Sequence, residues 1–189
     1  MMERRNAIKN IGRSMGVFVA TPAVLELLQS CGGPQYDWTP VFYTAEEGAF
    51  VRGLVDTLLP AVDDMPSASA VNVHVFIDKY AKDILDLKQQ AEHQMQMRKA
   101  IESLLASSGK SGVNKVDTAS YEAWMDELFG GSSDDEVYKF MVAFRSQTIW
   151  AYKNSEQVGE TIMAYNPIPG KYEGCVDLEG TTQGKAWSI

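Results

Sequence analysis

The chain has 189 residues, a formal charge of −8 and 45% hydrophobic residues, enough to close one domain around a real core. An acidic balance argues against binding to a phosphate backbone, so no nucleic-acid partner is expected. Two cysteines are too few for a disulfide scaffold or a metal–cysteine cluster, and no uninterrupted apolar run is long enough to span a bilayer.

Residues 1–30 differ from the rest. A basic head of Arg4, Arg5, Lys9 and Arg13 precedes a mildly apolar stretch from Gly16 to Leu28, broken by Thr21, Pro22 and Glu26. That order has the shape of an export signal. Arg4, Arg5, Ile8 and Lys9 resemble the twin-arginine pattern R-R-x-Φ-Φ-K, with Ala7 in place of a larger apolar residue. That route carries proteins already folded, usually with a cofactor aboard or a partner that holds one. Leu28-Gln29-Ser30-Cys31 resembles a lipobox, in which the cysteine is lipidated and becomes the new N-terminus. Acyl chains on Cys31 would hold the protein to a membrane without a spanning segment. The expectation is a periplasmic protein, lipid-anchored to the inner or outer membrane of a Gram-negative bacterium. The plain alternative is a cytosolic amphipathic helix with a free thiol, and the joint order of the three features favours export.

Residues 31–43 read as a tether that becomes ordered where Trp38, Phe42 and Tyr43 meet an apolar groove. Residues 44–164 read as a helical domain. Thr44-Ala45-Glu46-Glu47 is a capping box opening a helix from Ala45 to Leu59, stopped by Pro60. After a loop of turn formers, Ser67 or Ser69 starts a second helix whose stripe is Val73, Phe76, Ile77, Tyr80, Ile84 and Leu87. The helical pattern continues through Gln89–Arg98 to Leu105, as one long helix or two with a bend. Asp117 or Thr118 caps a short helix bearing Tyr121, Trp124 and Phe129. Asp134, Asp135 and Glu136 open a strongly amphipathic helix through Val137, Phe140, Phe144 and Tyr152. Glu156–Ala164 forms a last short helix. Residues 165–189 hold prolines, glycines and no helical period, yet keep Tyr165, Ile168, Tyr172, Val176 and Trp187. They read as an extended arm lying on its own body or on a partner. The fold class is all-α: a bundle of about five helices with an irregular C-terminal arm.

Three stretches together resemble the gluconate 2-dehydrogenase subunit 3 family. Leu58-Leu59-Pro60, Asp64-Met65-Pro66 and Val73-His74-Val75-Phe76-Ile77-Asp78 are similar to its "LIP…DDTPGA…V…FID" segment, with Ser67 where a glycine is common. Tyr165-Asn166-Pro167-Ile168-Pro169-Gly170-Lys171-Tyr172-Glu173-Gly174 is similar to its closing "Y-x-P-x-P-G-x-Y-x-G". The resemblance implies a small non-catalytic subunit that carries the export signal for a large flavoprotein dehydrogenase of the GMC type. The partner would hold FAD and oxidise a sugar, sugar acid or polyol, and a cytochrome c subunit with haem c often takes the electrons. On this reading Tyr165, Pro167, Pro169, Gly170, Tyr172, Cys175 and Trp187 meet the partner.

Other constellations are weaker. No dinucleotide loop, P-loop, nucleophile elbow or haem-attachment motif is present in the sequence, so no catalytic, cofactor-binding or metal-ligating residue is expected. His74 and Asp78, one helical turn apart, read as a surface pair because a metal needs three or four ligands. His93, Met95 and Met97 suggest copper, but alternating methionines fall on different helix faces. Asp63 and Asp64 read as turn residues, and Trp124, Phe129, Phe140, Phe144 and Trp150 as core. With Cys31 lipidated, Cys175 is left either to bond the catalytic subunit or to lie buried and inert. The second reading for the whole chain is a stand-alone ligand-binding lipoprotein with no oxidoreductase partner.

Overall fold

Thr44 starts the helical body. Its hydroxyl accepts from the Glu47 amide, and the Glu47 carboxylate accepts from the Thr44 amide at 2.9 Å, which completes the capping box. Helix α1 (Ala45–Leu58) then turns Phe50, Val51, Leu54 and Val55 fully inward. Leu59 is extended ahead of Pro60, as the proline ring demands. This computed structural model describes residues 38–168, 170 and 174–188. The export-signal residues Arg4, Arg5, Ile8 and Lys9, the lipidation candidate Cys31, and Pro169 and Tyr172 of the arm lie outside them. Helix α1 and the helices that follow it belong to one unit, Thr39–Ile189.

Helix α2 (Val73–Asp83) begins later than its serines suggest. The Ser69 amide and hydroxyl both donate to Asp56 of α1, and the Tyr152 hydroxyl donates to the Pro66 carbonyl at 2.7 Å. The loop is thereby stapled to two helices, and Asn72 in the left-handed region sets the start. Asp86 and Gln89 form a second capping box, so α3 (Leu87–Ser108) is a separate helix. Gln90 closes the end of α2 by donating to the carbonyls of Ala81, Lys82 and Leu85. Helix α3 ends on Gly109 at φ +65°, the conformation that glycine adopts without penalty. Asp117 caps α4 (Thr118–Gly130), and Asp135 caps α5 (Glu136–Lys153). A π-helical turn, Val158–Ile162, stands where the sequence predicts a short helix. Within the arm lies a five-residue helix, α6 (Leu178–Thr182), capped by Asp177. Among the described residues there is no strand, and the fold is all-α.

Helix α1 is central, packed on α2, α3 and α4, while α5 packs on α2 and α3. Phe50 meets Tyr121 and Trp124 with ring centroids 6.0 Å away. The Trp124 indole N–H donates to Ser103 of α3 at 3.0 Å. Gly53 is required by the same contact: a Cβ there would stand 2.8 Å from the Tyr121 ring. Met97, Leu104, Met141 and Phe144 complete the interior, each such side chain contributing on the order of 2 kcal/mol through burial.

Two core expectations need correction. Of the stripe expected on the second helix, Val73 and Ile77 are buried, but Phe76 is 40% exposed, and Ile84, just past the end of α2, and Leu87, the first residue of α3, are more so. Trp150 of α5 is 48% exposed. The inward face of α2 is instead taken by Val73, Ile77, Ala81 and two polar residues, His74 and Asp78.

Candidate functional site

His74 and Asp78 are not a surface pair: both are buried, Asp78 completely. The reason is the chain that precedes α1. Asp78 Oδ2 accepts from the Val41 amide at 2.7 Å, and Oδ1 accepts from the Phe42 and Tyr43 amides at 2.9 and 3.0 Å. Three consecutive backbone N–H groups replace the water that a buried carboxylate gives up. Asp78 therefore fixes the point where the N-terminal segment joins the helices. Burial, with Arg52 nearby, holds the His74 imidazole below its ordinary range, against the opposing carboxylates of Asp56 and Asp78. Among the described residues no group of three His, Cys, Asp or Glu could hold a metal ion.

The second polar contact beneath this segment is Tyr43 with His93. The Tyr43 hydroxyl lies 2.7 Å from His93 Nε2, and the His93 ring is flanked by Phe42 and Phe140. Burial raises the Tyr43 phenol far above its usual value, helped by the charges of Asp78 and Glu47. Burial also pushes His93 down to about 4, with Glu47 opposing. Met97 points into the core while Met95 is exposed, so the methionines and His93 do not converge as copper ligands would. Asp63 and Asp64 sit in the turn between the paired Val62 and Met65, with Asp63 at φ +50°, a conformation aspartate tolerates.

A neutral, half-buried His93 makes stability depend on pH. Unfolded, the imidazole titrates near 6.5, and folded near 4, so between these values the unfolded chain binds the extra proton. The stabilisation is full above pH 6.5 and is lost as the pH falls toward 4, by an amount on the order of a few kcal/mol. His93→Gln, which keeps a partner for Tyr43, is expected to flatten that slope in urea titrations between pH 7 and 4. An unchanged slope would assign the acid sensitivity to other groups.

The C-terminal arm does not trail away. The Ala164 amide donates to the Ala186 carbonyl at 2.8 Å and the Ser188 amide to the Ala164 carbonyl at 2.9 Å, pairing Ala164 with Trp187. Lys185 Nζ donates to the Thr161 carbonyl at 3.1 Å. The chain thus leaves the helices and returns to the same place, making a loop of 165–186 pinned at its base. Gly159 lies under that base, where a Cβ would come within 3.0 Å of Ser188 Oγ. Among its described residues the loop leaves apolar side chains in water: Tyr165, Val176 and Leu178 are exposed, and Ile168 is 83% exposed. Pro167 and Gly170 are exposed as well. Cys175 is exposed and unbridged among the described residues, which removes the buried, inert reading of its thiol. Trp187, half exposed, stands at the base. Motif composition marked these residues in the sequence, but the return of the chain to Ala164 had no local signal.

The helical body has a filled core and leaves further apolar side chains exposed on the pinned loop and on α2 and α5, the kind of surface that commonly marks protein–protein contact. The family model of gluconate 2-dehydrogenase subunit 3 matches residues 45–170, and the chain belongs to that family. It is accordingly an accessory subunit of a dehydrogenase complex, with a catalytic chain as its partner. No curated protein and no solved structure matches the chain.

Proposed function

We propose that this chain escorts, stabilises and anchors a periplasmic flavin-dependent dehydrogenase that oxidises a sugar, sugar acid or polyol. The observation that carries the reading is the family match over 45–170, which runs from the first helix into the pinned loop. Arg4, Arg5, Ile8 and Lys9 supply the twin-arginine signal for both chains, since a flavoprotein that has already bound FAD needs a route for folded cargo. Lipidation of Cys31 holds the complex to the membrane, because several acyl chains together bind firmly where one does not. No helix among the described residues is long and apolar enough to cross a membrane, so in this reading the lipid is the anchor. FAD belongs to a GMC-type catalytic subunit, and haem c to a cytochrome subunit that receives the electrons. Tyr165, Pro167, Pro169, Gly170, Tyr172, Cys175 and Trp187 of the loop and its base contact the catalytic chain, Cys175 by an intersubunit disulfide.

The experiment is purification of the native protein from membranes, with a visible spectrum and mass identification of the chains that accompany it. A flavin spectrum, a large GMC-type dehydrogenase chain and a diacylated Cys31 are expected, with the two chains migrating together on a non-reducing gel. A colourless, solitary protein would overturn the reading in favour of a ligand-binding lipoprotein.

A further inference from the structure

Phe76, Tyr80 and Ile84 follow one another at four-residue intervals and so line one side of α2 over about 12 Å. Trp150 of α5 closes against them, its ring centroid 5.4 Å from Phe76 and 6.4 Å from Tyr80. Phe76 and Tyr80 are themselves 6.0 Å apart. Beside this cluster, between α2 and α5, runs an open trough of about 350 Å3 lined by Val71, Val75, Phe76, Lys79, Trp150 and Asn154. Its floor is apolar, and its charged lining residue is Lys79, in a chain whose net charge is −8.

We infer that the α2–α5 seam is a second docking surface for the catalytic subunit, receiving an apolar side chain of that subunit with an acidic residue beside it. This inference rests on the proposed function above. Three observations select the occupant. Large aromatic side chains gathered at a surface are the composition of an interface centre, which is enriched in Trp, Tyr and Phe. The apolar row continues past the trough to Ile84, itself largely exposed, which suits an extended protein surface better than a small ligand. The cationic rim at Lys79 complements a carboxylate of the partner, while two copies of this chain, each with a net charge of −8, repel one another. The seam is also continuous with the loop. The trough shares Val71, Asn72 and Ser155 with a neighbouring one that reaches Thr161, whose carbonyl holds Lys185 at the loop base. One partner surface lying across both features would bury them together.

The test uses the full chain produced together with its catalytic subunit. The double variant Phe76→Ser/Trp150→Ser should keep its helical circular dichroism, and its complex should dissociate at concentrations at least about thirtyfold higher than the wild type, the usual effect of losing aromatic anchors. Lys79→Glu, which leaves the packing untouched, should weaken the complex in the same direction. Should the double variant not fold, oxidative footprinting of the wild type decides: Trp150 is expected to react in the free subunit and to be protected in the complex. A wild-type complex that holds its flavoprotein while both variants hold it equally well, or while Trp150 reacts as in the free subunit, would overturn the seam and leave the proposed function standing. A wild-type chain without any dehydrogenase would remove both. A wild-type dimer that Phe76→Ser/Trp150→Ser converts to monomer would replace the inferred occupant by a second copy.

Discussion

Replacing Asp78 by alanine is expected to lower the stability of the purified chain by about 3–5 kcal/mol, since three backbone donors lose their one charged acceptor and each donor left unsatisfied costs about 1–3 kcal/mol. The size follows from what is left behind. The amides of Val41, Phe42 and Tyr43 all end on this one carboxylate, and alanine would leave their donors facing the interior. In a chain of this length that corresponds to a fall in melting temperature of roughly 10 °C. Asp78→Asn separates charge from geometry. One amide oxygen can still serve the Phe42 and Tyr43 amides that share Oδ1, but its NH2 group cannot accept from Val41, so a smaller loss of about 2 kcal/mol is expected. Urea unfolding measures both, and hydrogen exchange at 41–43 should quicken in the same order. A loss under about 1 kcal/mol for alanine would show that water replaces the carboxylate, and that the segment is held chiefly by burial of Tyr43.

Helix boundaries were legible where the signal is local. The Thr44–Glu47 box, Pro60, Asp117 and Asp135 each act within a turn of their own position, and each stands where sequence reasoning puts it. Asp86 and Gln89 carry the same kind of signal, and it decides between one long helix and two. The destination of Asp78 was not legible, because its partners lie 35 to 37 residues away and nothing in the sequence of α2 points to them. The stripe on α2 misled for a different reason. A four-residue apolar period says that a face is covered and not by what; Phe76 and Ile77 satisfy it equally, yet Ile77 meets this chain's core while Phe76 meets solvent. Trp150 follows the same logic on α5. The pinned base of the arm depends on backbone pairing between Ala164 and Trp187, which any pair of residues could make.

Exchanging residues 166–185 for a short glycine–serine linker, with Ala164, Trp187 and Ser188 retained, is expected to release the catalytic subunit while leaving the helical body intact. Cutting the chain after Ala164 would be a poorer experiment. It would also remove the strand-like pair at the base and uncover Gly159 and Met163, both buried beneath it, so a lost partner could then reflect a damaged surface. The exchange removes the five-residue helix α6 and the side chains that the loop holds in water, so far-UV circular dichroism should change little. Those side chains explain the expected size of the effect. Ile168 and Leu178 are exposed in the isolated chain, and burying side chains of that kind contributes about 1.5–3 kcal/mol each. The pinned ends limit the conformational entropy that binding must remove from the loop. Loss of the flavoprotein from the co-purified complex, with Phe76→Ser/Trp150→Ser weakening what contact remains, would assign the loop as the principal clamp and the seam as its complement. Full retention would reverse that order: the apolar loop would then serve some other contact, and the α2–α5 seam would have to hold the catalytic subunit by itself.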